Sequence, residues 1–172
     1  MGVRMNRFLD QYLDPSFVYK YTHGPDVVRS RYDALRRGIN CVSLAHLALN
    51  DLFDYQLPNE LDCYELYTDS EHFESVADLE CMRIGDLVWF GREATNIDPE
   101  NFIPIYQDRQ LLNWEDFPIR HVAIYTGEYD EDYLLLHSTH LEGTNAVWPL
   151  SRFASYAAYR KLYGISRLKN AA

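Results

Sequence analysis

Cys41 follows Asn40 at the head of an apolar run: Val42, Leu44, Ala45, Leu47, Ala48, Leu49, Leu52 and Phe53. Asn is a preferred N-cap, so Cys41 to Phe53 reads as a buried helix with the cysteine in its first turn. Free N–H groups and the helix dipole at that end favour a thiolate. The same N–H groups suit a developing oxyanion. The alternative reading is an inert buried cysteine. The other two cysteines, Cys63 and Cys81, flank an acidic stretch, so they are expected to be dispensable for any thiol chemistry.

Two histidines complete the candidate chemistry. His121 opens one predicted strand, His121 to Tyr125, and His137 lies near the end of the next, Tyr133 to Ser138. A loop from Thr126 to Asp132, symmetric about Tyr129, would set Tyr125 opposite Tyr133, Ala123 opposite Leu135 and His121 opposite His137. Both rings would then share one face, because side chains alternate with period two. Directly opposed residues have Cβ atoms about 4.5–5.5 Å apart, within reach of a ring-to-ring hydrogen bond. A slip of one residue would undo this. The chemistry would be nucleophilic catalysis, with Cys41 as nucleophile, His121 as base and His137 as the group orienting the base.

These residues must be positioned by the surrounding elements. Asn6 to Leu13 reads as a short helix ended by Asp14-Pro15, and Phe17 to Tyr21 as extended. Pro25 to Arg37 is helix-compatible, with Gly38 as its stop. Ile84-Gly85-Asp86 is a turn into the strand Leu87 to Phe90. Asn145 to Trp148 is a further strand candidate, and Ser151 to about Leu162 a helix. Ile165 to Leu168 is a last strand. Helices first and an antiparallel sheet after them give the α+β class. The 172 residues make a single domain, residues 1–172, with inserts at 54–81 and 91–118.

Composition narrows the function classes. A formal charge of −10 argues against a nucleic-acid partner. No run is apolar enough to span a membrane, and no signal-type stretch follows Met1, so a cytoplasmic location is expected. Three cysteines without a secretory signal predict free thiols. Between Gly38 and Met82 there is no Lys or Arg, while acids run from Asp51 to Glu80. That stretch reads as a solvated face, or as an attractor of a cationic amine where it borders a cleft.

Together the segments resemble the NlpC-type cysteine peptidases, a superfamily of bacterial cell-wall endopeptidases with a papain-like core. The family's Asp-Cys-Ser-Gly helix start corresponds to Asn40-Cys41-Val42-Ser43. Its Pro-Gly-Asp-Leu-Val-Phe-Phe strand corresponds to Ile84-Gly85-Asp86-Leu87-Val88-Trp89-Phe90. Its Ser-His-Val-Gly-Ile-Tyr strand corresponds to Arg120-His121-Val122-Ala123-Ile124-Tyr125, and its strand ending in His-Ala to Leu134-Leu135-Leu136-His137-Ser138. The order agrees from about Gly38 to Leu168, with Asn40 in place of the family's Asp and Val42-Ser43 in place of Ser-Gly. The resemblance implies a papain-like fold, N-terminal helices packed on a central antiparallel sheet, and a Cys41–His121–His137 triad. It implies amide hydrolysis through a thioester, in peptidoglycan stem peptides beside a D-glutamyl residue, with a peptide substrate as partner and no cofactor. Substrate-binding candidates are Ser43, Arg120 and an upstream tyrosine, Tyr19, Tyr21 or Tyr32, of which Tyr21 and Tyr32 are preferred. Alternatives are a thiol hydrolase or acyltransferase on a non-wall substrate, or a binding module without turnover. The sequence leaves oligomeric state open.

Cys63, His72 and Cys81, and the H-x-x-H of His137 and His140, do not match a four-ligand zinc spacing, so no metal is expected. His46, inside the apolar helix, reads as a core histidine. No G-x-S-x-G elbow surrounds Ser43 or Ser138.

Overall fold

A computed structural model describes residues 4–5, 8–21, 28–56, 62–93, 97–108 and 110–169. Helix α2 begins where its cap predicts. The chain enters through strand β1 (Arg4–Met5), a 3-10 turn (Leu9–Leu13) and helix α1 (Arg31–Arg37), and α2 spans Cys41–Phe53. Asn40 Oδ1 accepts from the Ser43 N–H at 2.8 Å. Leu44, Ala45, Leu47, Ala48 and Leu49 are buried along its length. Each buried leucine contributes about 1.5–3 kcal/mol, so packing rather than propensity holds this helix.

The remaining elements are α3 (Cys63–Thr68), β2 (Phe73–Ser75), β3 (Leu87–Gly91), β4 (Tyr106–Gln107), β5 (Gln110–Leu111), β6 (Ile119–Tyr129), β7 (Asp132–Thr139), β8 (Thr144–Pro149), α4 (Leu150–Phe153) and β9 (Lys161–Leu168). An antiparallel sheet runs β2-β9-β3-β6-β7-β8, with β1 also paired to β6. The class is α+β. One face carries Leu87, Trp89, Val122, Ile124 and Leu136 in a common core with α2. The other carries Val88, Phe90, Ala123, Tyr125 and Leu135, covered by Trp148, Phe153 and Tyr159. Buried Asp86 binds Arg167 through both oxygens, at 2.9 and 2.7 Å, tying the turn before β3 to β9.

Several expectations shift. The helix expected from Pro25 starts at Arg31, with Ser30 as its cap; residues 25–27 lie outside the described residues. So do Asn6 and Arg7 of the first expected helix, whose described part is the 3-10 turn. The helix expected from Ser151 to Leu162 is only Leu150–Phe153. Beyond it Ser155, Tyr156 and Tyr159 donate to carbonyls three residues back. These tight turns lay Phe153 on Phe90 (centroids 4.3 Å), Tyr156 on Trp148 (5.1 Å) and Tyr159 on His121 (4.4 Å). The first insert is partly structural, since β2 extends the sheet beside β9.

Candidate active site

The two histidines meet by a different register from the symmetric one. The β6–β7 loop is a two-residue turn, not the stretch Thr126 to Asp132. Asp130 and Glu131 both take left-handed backbone (φ 51° and 67°), the conformation such hairpins require. Tyr129 pairs with Asp132, Glu128 with Tyr133 and Gly127 with Leu134. Continued unchanged, that register would put His121 and His137 on opposite faces. A bulge at Thr126 shifts it by one residue, so that Tyr125 faces Leu135 and Ile124 faces Leu136. The next step aligns Ala123 with His137, leaving His121 diagonal to His137 on the same face. Thr126 is buried and its hydroxyl donates to the Leu134 carbonyl at 3.0 Å.

His121 Nε2 lies 2.9 Å from His137 Nδ1, with the rings nearly perpendicular. Both are buried, at 3% and 0% exposure. His137 packs against Trp148 (4.4 Å) and Phe153 (4.8 Å), and its Nε2 has no hydrogen-bond partner among the described residues. Burial first, then the charges of His121 and Arg152, push the His137 pKa down to about 2. It is therefore a neutral ring at ordinary pH. With Nε2 engaged, His121 has Nδ1 left to meet a thiol.

That thiol is Cys41. Its pKa is held well below the usual thiol range, chiefly by the neighbouring polar Cys63 side chain. The charge and hydrogen bond of His121, and the Val122 backbone N–H, act in the same direction, against burial. Cys63 is correspondingly raised, by Cys41 and by burial. Cys63, expected to be dispensable for the thiol chemistry, is an electrostatic neighbour of Cys41. It is the first residue of α3, capped by Asp62, whose side chain accepts from the Glu65 N–H at 2.8 Å. The capping pattern Asp62-x-x-Glu65 was readable in the sequence, but the meeting of α3 with α2 was not. Cys81 is exposed and its carbonyl accepts from Arg167.

The other candidates divide. Arg120 is the extra residue of a second bulge, where Phe90 pairs with His121 and Gly91 with Ile119. A Cβ at Gly91 would collide with the Pro118 carbonyl, so glycine permits this approach. The Arg120 guanidinium donates to the Trp114 carbonyl (2.7 Å) and the Glu115 carbonyl, lies 5.3 Å from the Trp114 ring, and is a charged neighbour of Cys63. Tyr21 packs against Trp114 (6.0 Å). Burial, with Cys63 and Cys41 close by, pushes its pKa up to about 12. Tyr19 also neighbours Cys41, and burial raises its pKa. Tyr32 instead is exposed on α1 beside Arg36, and nothing brings it to the thiols. Ser43 is half-buried, with its N–H held by the Asn40 cap. Tyr159, missed in the sequence because it reads as an ordinary helical tyrosine, stacks on His121.

Four members of the acidic stretch serve its own structure. Asp51 binds Tyr12 (2.5 Å) and Gln11 (3.2 Å) and pairs with Arg31, Asp62 and Glu65 form a capping box, and Asp69 holds His72 (2.8 Å). His46 is half-buried, its pKa lowered first by burial. Among the described residues no group of three His, Cys, Asp or Glu side chains is arranged for a metal, and no helix is long and apolar enough to cross a membrane.

No protein-family model matches the chain, and no curated protein matches it.

Proposed function

We propose that the protein is a cysteine hydrolase of the NlpC type, cleaving an amide bond in peptidoglycan stem peptides through a thioester on Cys41. The observation that carries this reading is the buried His121–His137 pair, with its two ring nitrogens 2.9 Å apart, beside a cysteine at the first turn of α2 whose thiolate His121 favours. The papain-like arrangement belongs to the same proposal and is supported by α2 starting at the thiol and an antiparallel sheet carrying the base.

The Cys41 thiolate attacks the carbonyl carbon. The Asn40 cap and the first helical bond use the N–H groups of Ser43 and Leu44, leaving those of Cys41 and Val42 for the oxyanion. Protonated His121 gives its proton to the departing amine and then takes one from the water that hydrolyses the thioester. His137, uncharged, accepts from His121 Nε2–H at its Nδ1 and so fixes the ring and supports the imidazolium. The D-glutamyl residue implied beside the bond offers a carboxylate, and Arg120 is the cation near the thiols that matches it.

The test is alkylation by iodoacetamide at neutral pH, together with hydrolysis of a D-glutamyl–diamino acid peptide. Cys41 is expected to react faster than exposed Cys81, and to lose that advantage in His121→Ala. Equal rates at the two cysteines would overturn the nucleophile. A reactive Cys41 without peptide cleavage would move the substrate to a non-wall acyl group.

A further inference from the structure

His137 reaches the base through a single hydrogen bond. Its Nδ1 meets His121 Nε2 at 2.9 Å, and its Nε2 has no hydrogen-bond partner among the described residues. An orienting histidine ordinarily has its second ring nitrogen bonded as well, which fixes the ring. The torsion that turns a histidine ring is otherwise broad. Packing must therefore hold this one. The closest ring to it is the buried Trp148, with centroids 4.4 Å apart and planes at 67°. Register sets that contact. Ala146 pairs with His137 and Trp148 with Leu135, so Trp148 lies diagonal to His137 on the same face.

Trp148 is itself gripped from outside. Its Nε1–H donates to Glu142 Oε1 at 3.0 Å. Arg152 Nη2 donates to the same oxygen at 2.8 Å, and its guanidinium lies over the indole, 3.8 Å from the ring centroid. Three parts of the chain thus converge on one indole: the turn between β7 and β8, β8 itself, and α4. Both bonds to the carboxylate are charge-assisted, and the cation on the indole face adds to the hold. A core tryptophan needs one acceptor for its N–H, and this one has a cation over its face as well. The side chains of Glu142 and Arg152 are 35% and 43% exposed, so their ion pair contributes little to folding.

We infer that Trp148 is a positioning residue, locked by Glu142 and Arg152 so that the His137 ring presents Nδ1 to His121. This rests on the roles of the two histidines in the proposed function, but not on any particular substrate. Trp148 touches neither the thiol nor the scissile bond, and acts through His137. A tilt of the indole would free the His137 ring to turn, lengthen the 2.9 Å contact and let water reach it. Glu142, on the surface, is the member whose loss releases both the indole N–H and the guanidinium.

The experiment follows the ring N–H shared by the two histidines by proton NMR of the full-length protein, with kcat and KM for a D-glutamyl–diamino acid peptide beside it. In the parent that proton is expected downfield and slow to exchange with water. In Glu142→Ala it is expected to exchange faster while the thermal midpoint stays near the parent's. There kcat should fall about tenfold with KM unchanged, the lower end of what losing a histidine's orienting partner costs. Trp148→Phe, which lacks the indole donor, is expected to behave as Glu142→Ala. Glu142→Gln, whose amide oxygen still accepts from the indole and the guanidinium, is expected to keep the parent's exchange rate and kcat. Parent-like exchange and kcat in Glu142→Ala or in Trp148→Phe would overturn the inference, as would a Gln variant no better than the Ala variant. The two readings fail separately. A protected ring proton that Glu142→Ala exposes, in a protein that cleaves no stem peptide, upholds the clamp and sinks the peptidase. Cleavage that Glu142→Ala leaves untouched does the reverse.

Discussion

The starts of α2 and α3 are built alike and behave oppositely. Each begins with a cysteine, and each is capped by a side-chain oxygen that accepts the N–H three residues on, at 2.8 Å in both. Their surroundings differ. The cap of α2 is neutral Asn40, its helix has 13 residues, and its thiol meets His121. The cap of α3 is anionic Asp62, its helix has 6 residues, and Asp62 itself disfavours a thiolate at Cys63. The Cys41 thiol is therefore pushed toward its ionised form and the Cys63 thiol away from it. A helix N-terminus favours negative charge, but the charge of the cap and the partner across the cleft decide which of two such thiols carries it.

Four experiments break or sharpen that contrast. The largest expected effect is in Cys41→Ala, which should lower turnover by about 10⁴-fold or more while the thermal midpoint stays near the parent's, since the site's nucleophile is gone. Turnover comparable to that of Cys63→Ala would erase the distinction between the two helix starts. Next, His137→Ala should lower kcat by about 10²-fold, and His137→Asn should recover much of it, because an amide oxygen can accept from His121 Nε2–H. No difference between the Ala and Asn variants would reduce His137 to packing.

Removing the thiol at α3 should be milder. Cys63→Ala takes away the polar neighbour that favours the Cys41 thiolate, so the pH profile of Cys41 alkylation should move to higher pH. The rate at neutral pH should fall by about tenfold, the equivalent of about one pKa unit, and should recover in alkali. An unmoved profile would show that His121 alone sets the thiol.

The last effect is on stability in acid and leaves turnover aside. His137 has its native pKa lowered from 6.5 to about 2, so below pH 6.5 the unfolded chain binds a proton that the folded chain does not. Folding stability should therefore fall as the pH falls, by about 1.4 kcal/mol per unit from this group, between about pH 6 and 4. Urea unfolding of His137→Asn should show a slope reduced by that amount. An unchanged slope would mean that His137 titrates normally.

Much of this arrangement was legible in the residues. The Asn40 cap and the apolar run after it specify α2 to the residue, because capping and burial both act locally. The strands around Leu87, His121, His137 and Asn145 follow from short-range alternation and β-branched or aromatic content. Arg120 and Tyr21 were named as candidates and do lie near the thiols, whereas Tyr32 points elsewhere. The hairpin was harder. Nothing in Thr126-Gly127-Glu128 distinguishes a loop from a bulged strand, and the pairing of the two rings survived a wrong register only because the bulge restored their shared face.

The sequence by itself determined the local features: a cysteine at the first turn of a buried helix and two histidines on neighbouring strands. Only the tertiary structure decided that Cys63 is an electrostatic neighbour of Cys41, that Tyr159 covers His121 and that Trp148 and Phe153 enclose His137. The reason is physical. Caps, turns and periodicity depend on residues a few positions apart. The state of a thiol or an imidazole depends on what packs against it from distant parts of the chain, and that is settled by how the sheet and its two covering layers come together.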